Sequence, residues 1–219
     1  MQNPKRPPRA GVFVKYPTVE TFARRPREAL MWLPRAHDVA RIAAVCKAMG
    51  GVADDVGAGT GLLAHLLEQA GAKVAAYDPT PPATRYHAVE TLDADALSDS
   101  YDVAIVSWME AGKDYRAPVA DLAPVIVNAY DVEGGCGVMG ETDFQHHGFQ
   151  LVDTWRTASF EDALHSLDHR GLRRKGYPGN RIDVVTRKPH LLDPLRAALD
   201  SARPGDALPW EAEMDALGL

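Results

Sequence analysis

Residues 52–78, VADDVGAGTGLLAHLLEQAGAKVAAYD, decide the fold. Val52-Ala53-Asp54-Asp55-Val56 is a short strand candidate, and Gly57-Ala58-Gly59-Thr60-Gly61 sets three glycines at alternate positions. Leu62, Leu63, Leu66 and Leu67 recur at helical spacing, and Gly71 marks the end of that helix. Lys73-Val74-Ala75-Ala76-Tyr77-Asp78 reads as a second strand ending on a carboxylate. Strand, turn, helix and strand in this order make the half-unit of a doubly wound α/β fold. Glycine suits a turn whose backbone passes close to a ligand, because a Cβ would clash and positive φ is open to it. A carboxylate at the tip of the second strand, roughly 20 residues past the turn, can accept both hydroxyl hydrogens of a ribose.

The glycine spacing separates the nucleotide classes. A dinucleotide site requires G-x-G-x-x-G, with the helix start facing a pyrophosphate. Counted from Gly57, the third glycine would fall at Leu62, where a small residue belongs. The order present is acid-x-G-x-G-x-G: Asp55, Gly57, Gly59, Gly61. It resembles motif I of the class I S-adenosylmethionine (SAM) methyltransferases. The resemblance implies that the backbone of Gly57, Ala58, Gly59, Thr60 and Gly61 passes the methionine moiety of SAM. It also implies that Asp55 helps to hold the ammonium, and that Asp78, followed by Pro79, takes the ribose hydroxyls. A nicotinamide-dependent oxidoreductase shares this grammar, but the glycine spacing speaks against it. An ordinary glycine-rich turn without a ligand is the plain alternative, and the acids at both ends argue against that.

Composition narrows the rest. A chain of 219 residues with uninterrupted α/β patterning is one large domain rather than two small ones. The only cysteines, Cys46 and Cys136, lie far apart, with no C-x-x-C and no metal-ligand spacing, as in a reduced compartment. No apolar run reaches transmembrane length, and the first residues lack a charged-then-apolar order, so a cytoplasmic protein without a membrane partner is expected. A net charge of −6 argues against a broad nucleic-acid surface. Two local exceptions are the arm Lys5-Arg6-Pro7-Pro8-Arg9 and the cluster Arg170 to Lys175, read as a solvated loop or a site for an anionic substrate.

In chain order, residues 1–26 are Pro-rich and aperiodic, a flexible N-terminal arm or lid. From Arg27 to Met49 the apolar spacing predicts helix on both sides of Pro34, closed by Gly50-Gly51, with His37 at the surface or in a cap. Beyond Asp78, Pro79, Pro81 and Pro82 break regular structure, and a third strand is expected from Ala88. Asp95-Ala96 resembles the family's adenine-binding turn, with Asp93 as the rival acid. Tyr101 to Val106 reads as a buried fourth strand, and the segment beyond its carboxyl end faces the substrate. That segment is Ser107-Trp108-Met109-Glu110, with Ser107 on the cofactor side. Amino-methylating relatives often carry D/N-P-P-Y/F at this point, and its absence argues against nucleobase or amide N-methylation. Trp108 and Met109 are substrate-pocket candidates, with Trp108 equally suited to the core. Glu110 is the catalytic candidate, able to orient an acceptor or take its proton, against a solvated helix-start glutamate.

Asp114 to Leu122 reads as a helix, and Pro124 to Tyr130 as strand five, with the turn Glu133 to Gly137 after it. Cys136 would need a base for catalysis, with His146 and His147 as candidates; turn chemistry is the plainer reading. Strands over 148–155 and 181–187, with a helix over 160–168 between them, resemble the antiparallel strands that close the methyltransferase sheet. The element order matches the family from about Arg35 to Arg187. A helix from Leu191 to Ala202 and a tail containing Trp210 would cover the sheet or a partner subunit, as in a homodimer. The fold class expected is α/β: a doubly wound, mostly parallel seven-stranded sheet with an antiparallel last strand and helices on both faces. The resemblance implies that residues 27–190 form a SAM-dependent methyltransferase domain, with 191–219 a C-terminal helix and tail. The expected partner is a small-molecule methyl acceptor, with SAM as cofactor and no metal. A SAM-binding scaffold without catalysis is the rival class.

Overall fold

The computed structural model describes residues 11–12, 16–25, 30–98, 101–110, 112–131, 144–167 and 180–219. Its elements in chain order are β1 (Gly11–Val12), α1 (Val19–Arg24), β2 (Trp32–Leu33), α2 (Ala36–Met49), β3 (Ala53–Val56), α3 (Leu62–Gln69) and β4 (Val74–Asp78). Next come β5 (Thr84–Arg85), β6 (Val89–Thr91), β7 (Val103–Ser107), α4 (Arg116–Leu122), β8 (Val125–Asp131), β9 (Gln150–Ser159), α5 (Phe160–Leu167), β10 (Asn180–Thr186), α6 (Leu192–Ser201) and α7 (Glu211–Leu217).

The main sheet runs β2-β9-β10-β8-β7-β3-β4-β6. From β6 to β8 the pairs are parallel, and β10 is antiparallel to both β8 and β9. Numbered by their order within this sheet after β2, the first five strands lie 3-2-1-4-5, as in a dinucleotide fold. The departure is β10, which slots between β8 and β9. Parallel strands covered on both faces read as continuous apolar runs, and all five residues of β7, VAIVS, are buried. Alternation along the strands makes two cores. Ala53, Ala76, Ile105 and Val127 meet Ile42 and Leu63 from α2 and α3. Val56, Ala104, Val106 and Ile126 belong to the other, with Val119 and Ala120 of α4.

Around Pro34 the structure departs from the expected helix. Trp32 and Leu33 form an eighth strand, paired with Ser159 and Ala158 of β9. A residue before proline is pushed out of the α region, so the chain stays extended through Leu33. Helix α2 starts only at Ala36, where Asp38 Oδ2 accepts from the Arg35 N–H at 2.8 Å. Within 1–26, residues 19–24 form α1, capped by Thr18 and packed on α5, with Val19 and Phe22 fully buried.

The tail folds back as α7 and closes this end of the molecule. Glu211 Oε1 accepts from the Ala36 N–H at 2.6 Å, and Glu213 Oε2 from the Val19 N–H at 3.0 Å. One short helix thus supplies carboxylates to the starts of two others, where amides lack intrahelical partners. Trp210 is fully buried, its indole N–H donating to the Pro34 carbonyl at 2.8 Å. Arg35 donates to the Leu219 carbonyl at 2.6 Å and to Asp215 at 2.8 Å.

Candidate functional site

The glycine turn joins β3 to α3 and is held from β4. The N–H groups of Gly57 and Ala58 both donate to the Tyr77 carbonyl, at 2.8 and 2.9 Å. Gly57, Gly59 and Gly61 have φ of +78°, +54° and +71°, so each sits where side chains are strained. Their surroundings differ. A Cβ on Gly61 would lie 2.8 Å from His87 Cβ and 2.9 Å from Val89 Cγ2, so this glycine is required for packing. Among the described residues, a Cβ on Gly59 would meet nothing within 4 Å, and one on Gly57 only Tyr115 Cε2 at 4.0 Å. These two glycines border open space. Ala58 and Thr60 turn inward, 2% and 1% exposed, and leave their backbone to the turn.

Two of the predicted acids converge here. Asp78, ending β4, accepts from the Gly59 N–H at 2.9 Å through Oδ2 and from the Thr80 N–H at 2.8 Å through Oδ1. Its carboxylate therefore faces the turn, with Pro79 half-buried beside it. Asp55 is fully buried, and among the described residues neither carboxylate oxygen has a hydrogen-bond partner. Burial, then the charges of Asp78 and Asp54, push its carboxyl up to about 7. An orphaned carboxylate is costly to keep, and such groups mark functional sites.

Asp95 and Ala96 lie exposed in a 3₁₀ turn over 94–96 beyond β6, and the Ala96 N–H donates to the Asp93 carbonyl at 3.0 Å. Asp93, the rival acid, acts on the Tyr115 phenol, whose pKa burial raises first, with Lys113 opposing and Asp93 and Glu110 adding to the rise.

At the end of β7, Ser107 is 7% exposed, and Trp108 is the one non-glycine with positive φ among the described residues, +58°. Its N–H donates to the Ala129 carbonyl at 2.8 Å, and its indole is buried in the core beside β8. The left-handed residue reverses the chain, so that Met109 enters the opposite core and its sulfur accepts from the Tyr115 N–H at 3.4 Å. Strained backbone of this kind gathers at functional sites. Glu110 is half-exposed and pairs with Lys113 at 2.9 Å. Arg116 grips Asp114 through Nε at 2.7 Å and Nη2 at 2.5 Å and lowers its pKa, which fixes the far end of the loop.

Tyr115 was not foreseen. It stands beside Gly57 across 58 positions of chain, and a tyrosine at a helix start carries no local signal of that. His146 and His147 lie in a 3₁₀ turn where His147 meets Phe144, while Cys136, the turn Glu133 to Gly137, the cluster Arg170 to Lys175 and the arm Lys5 to Arg9 lie outside the described residues. Cys46 is buried in α2, its thiol pushed up to about 12 by burial. Among the described residues no group of His, Cys, Asp or Glu could hold a metal ion, and no helix is long and apolar enough to cross a membrane.

No protein-family model and no curated protein matches the chain. Solved structures do. Magnesium protoporphyrin IX methyltransferase from Synechocystis PCC 6803, with SAM bound, is 20% identical over 70% of this chain and 79% of its own, with a TM-score of 0.49. The 1,6-didemethyltoxoflavin-N1-methyltransferase of Burkholderia thailandensis, with S-adenosylhomocysteine (SAH) bound, is 16% identical over 68% and 78%, with a TM-score of 0.43. A proposed RNA methyltransferase from Pyrococcus horikoshii is 15% identical over 69% and 82%, with a TM-score of 0.45. The parallel five-strand run, the inserted antiparallel β10 and the glycine turn between β3 and α3 give this chain a doubly wound, Rossmann-like α/β fold.

Proposed function

We propose that the chain binds SAM at the glycine turn and transfers its methyl group to a small-molecule acceptor. The observation that carries this reading is Asp55, a fully buried carboxylate without a partner among the described residues, set behind a turn whose Gly57 and Gly59 border open space. An ammonium is the partner such a group lacks. The other residues fit the same ligand: the turn backbone beside the methionine chain, Asp78 toward the ribose, and Asp95-Ala96 or Asp93 toward the adenine.

SAM supplies a methyl group already activated on a sulfonium sulfur. The work left to the protein is alignment and exclusion of water, which yields most of the gain in such a displacement. Ser107 to Glu110 and Tyr115 would border the acceptor. Glu110, paired with Lys113 at 2.9 Å, is the residue that in this reading would orient an acceptor or take its proton.

Titration calorimetry with SAH tests the cofactor half. Wild type binds, whereas Asp55→Ala and Asp78→Ala bind weakly or not at all; absence of binding by wild type sinks the reading. Incubation with methyl-labelled SAM and a metabolite pool tests the second half, since a scaffold would bind without transferring label.

A further inference from the structure

Tyr16 belongs to none of the motifs above, yet it touches three parts of the fold at once. Its ring stacks on Tyr86 (centroids 6.1 Å apart, planes 8° apart) and meets Trp210 edge-on at 5.8 Å. Its hydroxyl lies 3.2 Å from His65 Nε2 and donates to Gln69 Oε1 at 3.2 Å. His65 and Gln69 are on α3, the helix that the glycine turn opens. Tyr86 reaches the turn directly, its N–H donating to the Thr60 carbonyl at 2.8 Å. The next residue, His87, with Val89 two positions further on, crowds Gly61. On its other side Tyr16 leans on an indole that is itself fixed to Pro34.

We infer that Tyr16 is a positioning residue for the cofactor site: it braces the glycine turn through Tyr86 and α3 through His65 and Gln69, and anchors both on the C-terminal tail. The inference rests on the reading that this turn binds SAM. Three of the turn's five residues are glycines, so its own chain supplies little stiffness. Two of its outer contacts, at Thr60 and Gly61, come from residues 86–89; β4 and Glu68 hold that segment at Val89 and His87, and Tyr16 stacks on its first residue, Tyr86. A contact made outside the ligand shell changes affinity by ordering the unliganded site, not by touching the ligand. Packed aromatic pairs and side-chain networks carry coupling of this kind.

The test uses the full chain, SAH as probe, and Tyr16→Phe, Tyr16→Ala and Leu199→Ala. Leu199 is a buried residue of α6, used to match lost stability without touching the turn. Tyr16→Ala should weaken SAH binding roughly tenfold and Tyr16→Phe, which keeps the ring, about threefold, within the range of coupling through packed networks. Leu199→Ala should lower Tm yet leave SAH affinity within about twofold of wild type. Hydrogen exchange in the SAH-free Tyr16→Ala protein should speed up at the amides of 57–66 and stay unchanged in β7 and β8. Wild-type binding matched by both Tyr16 variants overturns the inference alone. Loss of affinity in Leu199→Ala equal to that in Tyr16→Ala also overturns it, as a general stability effect. If Tyr16→Ala does not fold, Tyr16→Phe decides, and unchanged affinity there counts against the brace. No binding by wild type would sink the cofactor reading and this inference with it.

Discussion

Near the carboxyl end of β3 the molecule leaves a buried carboxylate without a partner; where α1, α2 and α7 meet, it pairs its polar groups. Asp55 is buried with both oxygens unpartnered, and Gly57 and Gly59 border open space. At the clasp, the first amides of α1 and α2 each find a carboxylate, and the Trp210 indole finds a carbonyl. Other buried atoms, Trp32 Nε1 and Asn180 Oδ1 among them, also lack a partner among the described residues, but Asp55 is a whole carboxylate behind a turn that borders open space, and on the proposed reading stability is given up there for binding.

The contrast breaks most easily at the clasp. Trp210→Ala should destabilise the fold by about 3–5 kcal/mol, the usual range for a buried aromatic truncation; a denaturant titration with an unchanged midpoint would show that the clasp is ornamental. The two glycines then separate fold from function within a single turn. Gly61→Ala forces a Cβ against His87 and Val89 at positive φ and should cost about 3 kcal/mol of stability. Gly59→Leu puts a side chain into the crevice and should weaken SAH binding at least a hundredfold, about 2.7 kcal/mol, at only about 1–2 kcal/mol of backbone strain. Calorimetry and thermal melts on both variants check the contrast. Equal loss of binding and of stability in the two would erase the distinction.

Asp55 gives a subtler break, through pH. Its folded pKa, about 7, lies above the ordinary 3.8, so between those values the folded state holds the proton that the unfolded state has released. The stability linked to this group is fully present below about pH 4 and is lost as pH rises through about 7. Asp55→Asn should therefore raise Tm at pH 8 more than at pH 5, while removing SAH binding. In wild type, SAH affinity should fall as the solution is acidified below about 7, because the ammonium needs the ionised carboxylate. An affinity flat from pH 5 to 8 contradicts the assignment of Asp55. The smallest effect belongs to Glu211→Ala, which uncaps α2 and should cost about 1 kcal/mol without altering SAH affinity; equilibrium unfolding reads it.

What could be read from the letters was local. Three alternate glycines between two apolar runs, closed by Asp78, announce the turn, and its geometry comes from their order. Apolar runs located β7 and β8 for the same reason. Around Pro34 the apolar spacing suited a helix, but strand pairing with Ser159 and Ala158 won, an interaction over 100 residues distant. The capping of α2 by Glu211 and the approach of Tyr115 to Gly57 depend likewise on the finished topology. No window of sequence holds both partners. Asp55 shows the reverse limit: its place in the motif was plain, whereas its lack of a partner is visible only once every neighbour is in place.

The clasp also sets an order of events in time. Helices α1 and α2 leave the ribosome early, yet their capping carboxylates, Glu213 and Glu211, are made long after them. Strand β8 likewise waits for Asn180–Thr186 before its antiparallel edge is covered. Nascent chains therefore carry, for part of synthesis, an open sheet edge and two helices that lack these tail carboxylates. That interval is when aggregation competes with folding and when a chaperone has most to grip.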